Sequence, residues 1–228
     1  MLTSKELRVK AWNSLRGKYW KAFLVVLVLG LLASIGTSME TGSQNLTDLV
    51  NMVDPSEMDE TMELGAAVIG IAAAAIGIAG MVITLFVGNA ADVGLAHYFI
   101  LNTDSEPSFA DAFYGFKVKY LRNVGTLLLV GIKIVLWSFL LVIPGIIKSF
   151  EYAIIPYILA DDAEISSKEA FKKAKEMMQG NKWRLFKLNF SFFGWFVLCV
   201  LTCGVGTIFL LPYVSAANAE FYAELKNK

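Results

Sequence analysis

The sequence predicts an all-α integral membrane protein: six transmembrane helices, arranged as three repeats of an amphipathic surface helix followed by a helical hairpin, with both termini cytoplasmic. Three observations carry that expectation. Of 228 residues, 56% are apolar and 18% charged, against about 25% charged in a soluble domain, and mean hydropathy is +0.57. Long apolar runs recur along the chain. Basic residues avoid one long stretch altogether: none lies between Ala22 and Phe116, while 18 of 20 fall in 1–21 or 117–187.

"AFLVVLVLGLLASIG" (22–36) and "LGAAVIGIAAAAIGIAGMVITLFVG" (64–88) approach or exceed the ~20 residues that cross ~30 Å of hydrocarbon. The first is read as a retained span rather than a cleaved leader, because 21 residues including Trp12 and Trp20 precede it and no small-x-small site follows cleanly. The apolar region 123–160 is too long for one span and is interrupted at Pro144-Gly145, which predicts a hairpin with its tip there. Region 185–222 repeats that form around Gly204 and Gly206. The chain is expected to form a single membrane domain, with repeats at about 3–102, 108–164 and 166–228.

Charge sets the expected orientation. Six Lys/Arg precede the first span, three lie at 117–122 and seven at 168–187, whereas 38–63 carries seven acids and no base. Both termini are therefore expected inside, and 38–63 is expected to be a solvated acidic outer loop. Its acids lack the spacing of an EF-hand. A cation-binding or cationic-peptide surface is the functional alternative for that loop.

The polar segments repeat. "SKELRVKAWNSLRGKYWKAF" (4–23) aligns without a gap on "SKEAFKKAKEMMQGNKWRLF" (167–186), with eight identities in twenty. Each opens with a capping-box pattern, Thr3-x-x-Glu6 and Ser166-x-x-Glu169, and Ser108-x-x-Asp111 resembles it. The hairpin arms "IPYILADDAE" (155–164) and "LPYVSAANAE" (211–220) also share a register. Ala170, Phe171, Ala174, Met177 and Met178 make one helical face, with Lys168, Lys172, Lys173 and Lys175 around the rest. That pattern predicts a helix lying on anionic headgroups. Gly17 and Gly180 are expected to end the surface helices, ahead of an aromatic belt of Tyr19, Trp20 and Trp183.

Motifs for chemistry are few. There is no P-loop, no H-E-x-x-H and no G-x-S-x-G. His97 is the lone histidine, and Cys199 and Cys203 sit four apart as packing residues. Neither a cofactor nor a metal is expected, and no nucleic-acid partner. Ala66, Gly70, Ala73, Gly77, Gly80 and Thr84, with Ala91 a heptad on, form a small-residue seam. Such a seam packs another helix, from this chain or a second copy.

Charges inside the runs are the sharper clue, since each costs several kcal/mol in hydrocarbon unless paired or hydrated. These are Lys133, Lys148, Glu151 and Asp92. Glu151 lies about six residues from the Pro-Gly tip and Lys133 about eleven, a mismatch of about 7 Å, much of which a lysine stem can cover. A Lys133–Glu151 pair locking the hairpin is one expectation. A polar cavity at mid-membrane is the other.

"IPGII", "PYILADDAEIS", "AFKKAKEMMQGNKWRLFKLNFSFFGW" and "LLPYVSAANAEFYAEL" together resemble the bacterial multi-pass membrane family catalogued as domain-of-unknown-function family 975. The resemblance is densest from Ile143 to Leu225. It implies a bacterial cell-membrane protein with no established activity, distantly similar to the membrane domain of some glycerophosphodiesterases, from which no catalytic residue carries over. The expected function is that of a non-enzymatic accessory, scaffold or interaction partner in a membrane or envelope system. Its expected partners are membrane lipids, anionic headgroups at the cytoplasmic face, and a further membrane protein. The alternative is a transporter or lipid-handling protein with a polar path around Lys133 and Glu151. The shared orientation of the repeats weighs against it, because such transporters commonly use inverted repeats.

Overall fold

The computed structural model describes residues 2–53, 59–202 and 204–227. All regular structure among them is helical, in twelve α-helices with one π-helical and one 3-10 turn. They group into two compact units, one drawn from Met1–Leu29 with Asn89–Lys228, the other from Gly30–Gly88.

In the first unit, α1 (Ser4–Leu15) opens with a complete capping box. The Glu6 N–H donates to Thr3 Oγ1 at 3.3 Å and the Thr3 N–H donates to Glu6 Oε2 at 2.6 Å. Gly17, at φ +81°, ends the turn that follows, and α2 (Tyr19–Asn51) begins. The second unit contains most of α2 together with α3 (Glu60–Ile83) and a π-helical turn at Thr84–Gly88.

Back in the first unit, α4 (Asn89–Asp104) leads to a 3-10 turn (Phe109–Phe113), α5 (Tyr114–Lys117) and α6 (Tyr120–Leu140). The Ser108 box is also complete, the Ser108 N–H donating to Asp111 Oδ2 at 2.7 Å, but it starts a single 3-10 turn rather than a long helix. Then come α7 (Val142–Tyr152), α8 (Ile155–Asp161), α9 (Ser167–Met178), α10 (Lys182–Phe190), α11 (Phe193–Leu201) and α12 (Val205–Lys226). Ser166 and Glu169 cap α9 reciprocally, and Gly180 at φ +75° follows it as Gly17 follows α1.

Five helical stretches are long and apolar enough to cross a membrane among the described residues: Tyr19–Asn51, Glu60–Asp104, Tyr120–Leu140, Val142–Asp161 and Lys182–Leu201. The sixth expected span, α12, is a continuous helix. Asn218, Glu220 and Glu224 make its second half polar, and it does not reach the apolarity of the other five.

Several expectations need correction. Segment 38–63 is not a loop throughout: α2 runs to Asn51 and α3 starts at Glu60, while 54–58 lie outside the described residues. The hydroxyls of this stretch are satisfied inside the helix, and an apolar stripe packs it on α3. Ser38, Thr41 and Thr47 donate to carbonyls one turn back. Leu46, Leu49, Val50 and Val53, at helical spacing, face Met62, Ala66 and Ile69 of α3 across an apolar cavity of about 340 Å³. That periodicity is present in the sequence beneath the acidic composition.

The α6–α7 reversal occurs at Leu141, which is extended, so Pro144 and Gly145 lie inside the first turn of α7 rather than at the tip. A proline there loses nothing, because first-turn N–H groups have no intrahelical partner. Gly145 instead lets α7 approach α6, where a Cβ would come within 2.9 Å of Ser138 Cα. Gly204, at φ +84°, does form the α11–α12 turn. Gly206 sits in α12, against Cys199. Cys199 is buried; Cys203 lies outside the described residues.

The apolar face of α9 is also covered by protein. Ala170, Ala174 and Met178 are fully buried, and α9 packs on α7 and α8, so only its lysine-rich side is free to meet headgroups. α1 behaves alike: Leu7, Ala11 and Leu15 are buried as it packs on α12, α10 and α4. An amphipathic helix requires only that its apolar stripe leave water, and here protein satisfies it.

Candidate functional site

The expected partnership between Lys133 and Glu151 does not form. Glu151 is 3% exposed and is held by two other lysines. Lys148, one turn earlier on α7, donates to Oε1 at 2.6 Å, and Lys182, at the start of α10, donates to Oε2. Lys133 instead places Nζ 3.5 Å from the centre of the Phe171 ring on α9, with Tyr152 at 5.9 Å. Such a contact is worth ~0.5–2 kcal/mol depending on desolvation. Both lysine arrangements tie the α6–α7 hairpin to the α9–α10 segment. They are fastenings, and no cavity described here is lined by Lys133, Lys148 or Glu151.

Asp92 differs. It lies on α4, four residues past the π-helical turn, and makes no hydrogen bond or ion pair with another described residue. It lines two cavities. One, of about 210 Å³, has walls from Leu95, Ile154, Tyr157, Leu185, Asn189 and Asn218 among others. The second, of about 250 Å³, is lined by Asn89, Val130, Ile134, Ser149 and Tyr152. Ala153 and Pro156 line both.

The chain explains why Asp92 meets these cavities. The stretch Val142–Asp161 is one apolar span by composition but two helices in fact, interrupted at Ala153–Ile154. Pro156, in the first turn of α8, has no N–H to give to the Tyr152 carbonyl. Residues of this break, Ala153, Ile154 and Pro156, line the space into which Asp92 opens. Span Lys182–Leu201 is likewise broken, at Ser191–Phe192, close to Asn189. Asn218 Oδ1 is buried with no hydrogen-bond partner, and the Asn189 side chain makes no hydrogen bond with another described residue.

Several other buried polar groups of this unit are fastenings, although Arg8 Nε and Asn102 Oδ1 are buried without a hydrogen-bond partner. The Arg122 guanidinium donates to the carbonyls of Leu159, Asp162, Ala163 and Ile165, closing the C-terminal end of α8. Glu220, 1% exposed, pairs with Lys10 at 2.7 Å, and Asp161 takes the Tyr222 hydroxyl at 3.1 Å and Lys226 at 2.7 Å. His97 Nδ1 lies 3.0 Å from the Ala160 carbonyl, and its ring stacks on Tyr114 at 3.9 Å. Burial pushes the Tyr114 phenol above its ordinary range.

The seam residues from Ala66 to Thr84 lie in the second unit, and several of them meet α2 of this chain. The Ser43 hydroxyl donates to the Ala73 carbonyl at 2.6 Å, and a Cβ at Gly77 would come within 2.8 Å of Ser43 Oγ. A Cβ at Gly80 would lie 2.6 Å from the Gly36 carbonyl, and one at Gly36 would strike Thr84. Gly70 meets nothing, and Ala66 lies at the apolar cavity facing Leu49 and Val50.

Sequence inspection singles out Asp92 but misses Tyr157, Asn189 and Asn218, which stand on three different helices around it. No sequence signal marks them as a set, since Asn189 follows Arg184 and Lys187 on α10 and Asn218 stands beside Glu220 on α12. Residues 139–228 match the family described as protein of unknown function DUF975, so the matched region contains Glu151, Lys182, Asn189 and Asn218 but neither Asp92 nor Lys133. No curated protein and no solved structure matches the chain.

Proposed function

We propose that the protein is a non-enzymatic, polytopic protein of a bacterial cytoplasmic membrane that acts as an accessory or scaffold for a membrane or envelope system. In this proposal six helices cross in three repeated hairpins, and both termini are cytoplasmic. One observation carries it, a division of the first unit's surface into two zones. Exposed large apolar side chains concentrate in the last half of α6, in α7, in α11 and at the start of α12, from Ile132 to Ile147 and from Phe190 to Leu211. By contrast α4, α8, α9 and the end of α12 bury most of their apolar residues, and α1 does so apart from Val9 and Trp12, which are exposed. Trp20 and Trp183, 67% and 62% exposed, fit a headgroup-level belt between the zones.

The polar zone is the surface offered to partners. Lys168, Lys172 and Lys175 on α9 and Lys5 and Arg16 on or beside α1 are exposed, and each basic residue near an anionic leaflet contributes ~1 kcal/mol of attraction. Photocrosslinking in native membranes through a reactive residue at Lys172 tests the proposal. A discrete protein adduct of reproducible mass, lost on Lys168→Glu with Lys175→Glu, is the expected result. Adducts to lipid alone, unchanged by charge reversal, would contradict it.

A further inference from the structure

We propose that the cavity beside Asp92 is a binding site for a primary ammonium group carried on an apolar body. The first premise is a set of unmet polar groups. Asp92, Asn189 and Asn218 converge on the same 210 Å³ space, and none of their side chains is hydrogen-bonded to another described residue. Asn218 Oδ1 is buried without a partner, and such atoms are nearly always satisfied; with Asp92 exposed and Asn189 half-buried on the same cavity, the three present an open polar face to a guest. The buried or half-buried carboxylates of Glu151, Glu220 and Asp161 in the same unit, unlike that of Asp92, are each matched by a lysine.

The second premise is what the walls accept. The one charge is a carboxylate, and no lysine or arginine lines either cavity, so the guest is cationic. A primary ammonium has three N–H donors; the carboxylate and two amide oxygens supply three acceptors. Apart from Tyr157, the remaining walls, Leu95, Ile154, Leu185 and Phe221 among them, are apolar, and the space holds far more than a bare ion. A hard metal ion demands a close shell of about six oxygens, and among the described residues no cluster of three metal-ligating side chains exists. A quaternary ammonium has no N–H for these acceptors and is typically held by an aromatic cage. The broken helix at Ala153–Ile154 and the second cavity continue the space on the other side of Asp92, leaving room for the apolar body. An ethanolamine lipid headgroup and a free alkylamine share this chemistry.

The full chain, purified into nanodiscs of phosphatidylcholine, tests the site by thermal unfolding and by native mass spectrometry. Butylamine and phosphatidylethanolamine are added separately, with butyltrimethylammonium and sodium chloride as controls. A stabilising shift with either primary amine and not with the controls is expected; which amine acts identifies the source. Asp92→Asn should weaken it about tenfold or more, the loss of a charge-assisted hydrogen bond. Asn189→Leu, which removes an acceptor and fills the cavity while leaving α4 untouched, should also weaken it and guards against misfolding of the first variant. Equal shifts with sodium or the quaternary amine, binding that survives both substitutions, or no shift with any amine because water alone fills the cavity, would each overturn the proposal.

Discussion

The ammonium of Lys133 sits 3.5 Å from the centre of the Phe171 ring, so the lysine in the middle of α6 is answered by an aromatic from α9. A double-mutant cycle with Lys133→Met and Phe171→Leu should therefore show a coupling of about 1–2 kcal/mol in denaturant unfolding. The cycle of Lys133→Met with Glu151→Gln should show almost none, since the two groups share no contact.

Glu151 is the anchor between the second hairpin and α10. Lys182→Met leaves a carboxylate that is 3% exposed with Lys148 as its remaining cation. Partial exposure of the lysines softens the loss, and about 2–3 kcal/mol is expected. Glu151→Gln should cost a similar amount. Changing Glu151 and Lys182 together to Leu and Met should recover part of it, as read by the midpoint of thermal unfolding.

Gly94 and Gly115 make a reciprocal crossing. A Cβ at Gly94 would strike the Ala112 carbonyl, and one at Gly115 the Ala90 carbonyl. Backbone cannot yield as a side chain does, so Gly94→Ala and Gly115→Ala should each destabilise by about 1–3 kcal/mol or more. Gly125→Ala, where a Cβ meets nothing within 4 Å, is the control expected to stay near wild type.

Acid should loosen the surface helices at their starts. The Thr3 amide and hydroxyl hold the Glu6 carboxyl below its ordinary value, and the Ser166 hydroxyl and amide do the same for Glu169. Because the folded carboxyls are more acidic than the unfolded ones, their contribution is complete above the unfolded value of about 4.3. It is lost as pH falls through the lowered folded values. Amide exchange at Glu6 and Glu169 should accelerate over that acid window, and Thr3→Ala with Ser166→Ala should abolish the acceleration.

Local chemistry was the most legible part of the chain. A hydroxyl and a carboxylate three residues apart satisfy their own helix start, and all three such boxes are present. The glycines after α1 and α9 were legible for the same reason. The hairpin reversals were legible only to within a few residues, because Pro144 marks a helix's first turn as readily as the turn before it. Segment 38–51 was masked by composition: its acids and hydroxyls suggested a loop, whereas Leu46, Leu49 and Val50 held a helical stripe. The partner of Lys133 was out of reach. Counting residues from a tip gives height along an arm but not which way a side chain points around it, and both Phe171 and Lys182 come from helices beyond the hairpin. The Asp92 cavity is assembled from four helices by two breaks, and no linear pattern marks which polar residues meet there.

The proposed topology requires the α6–α7 hairpin to cross the bilayer with its tip on the face opposite α9. In a background with Cys199→Ser and Cys203→Ser, single cysteines at Leu141→Cys and Lys172→Cys can be exposed to an impermeant maleimide in right-side-out and inverted vesicles. Labelling of Leu141→Cys only in right-side-out vesicles, and of Lys172→Cys only in inverted ones, is the predicted result. Labelling of both positions from the same face would contradict it.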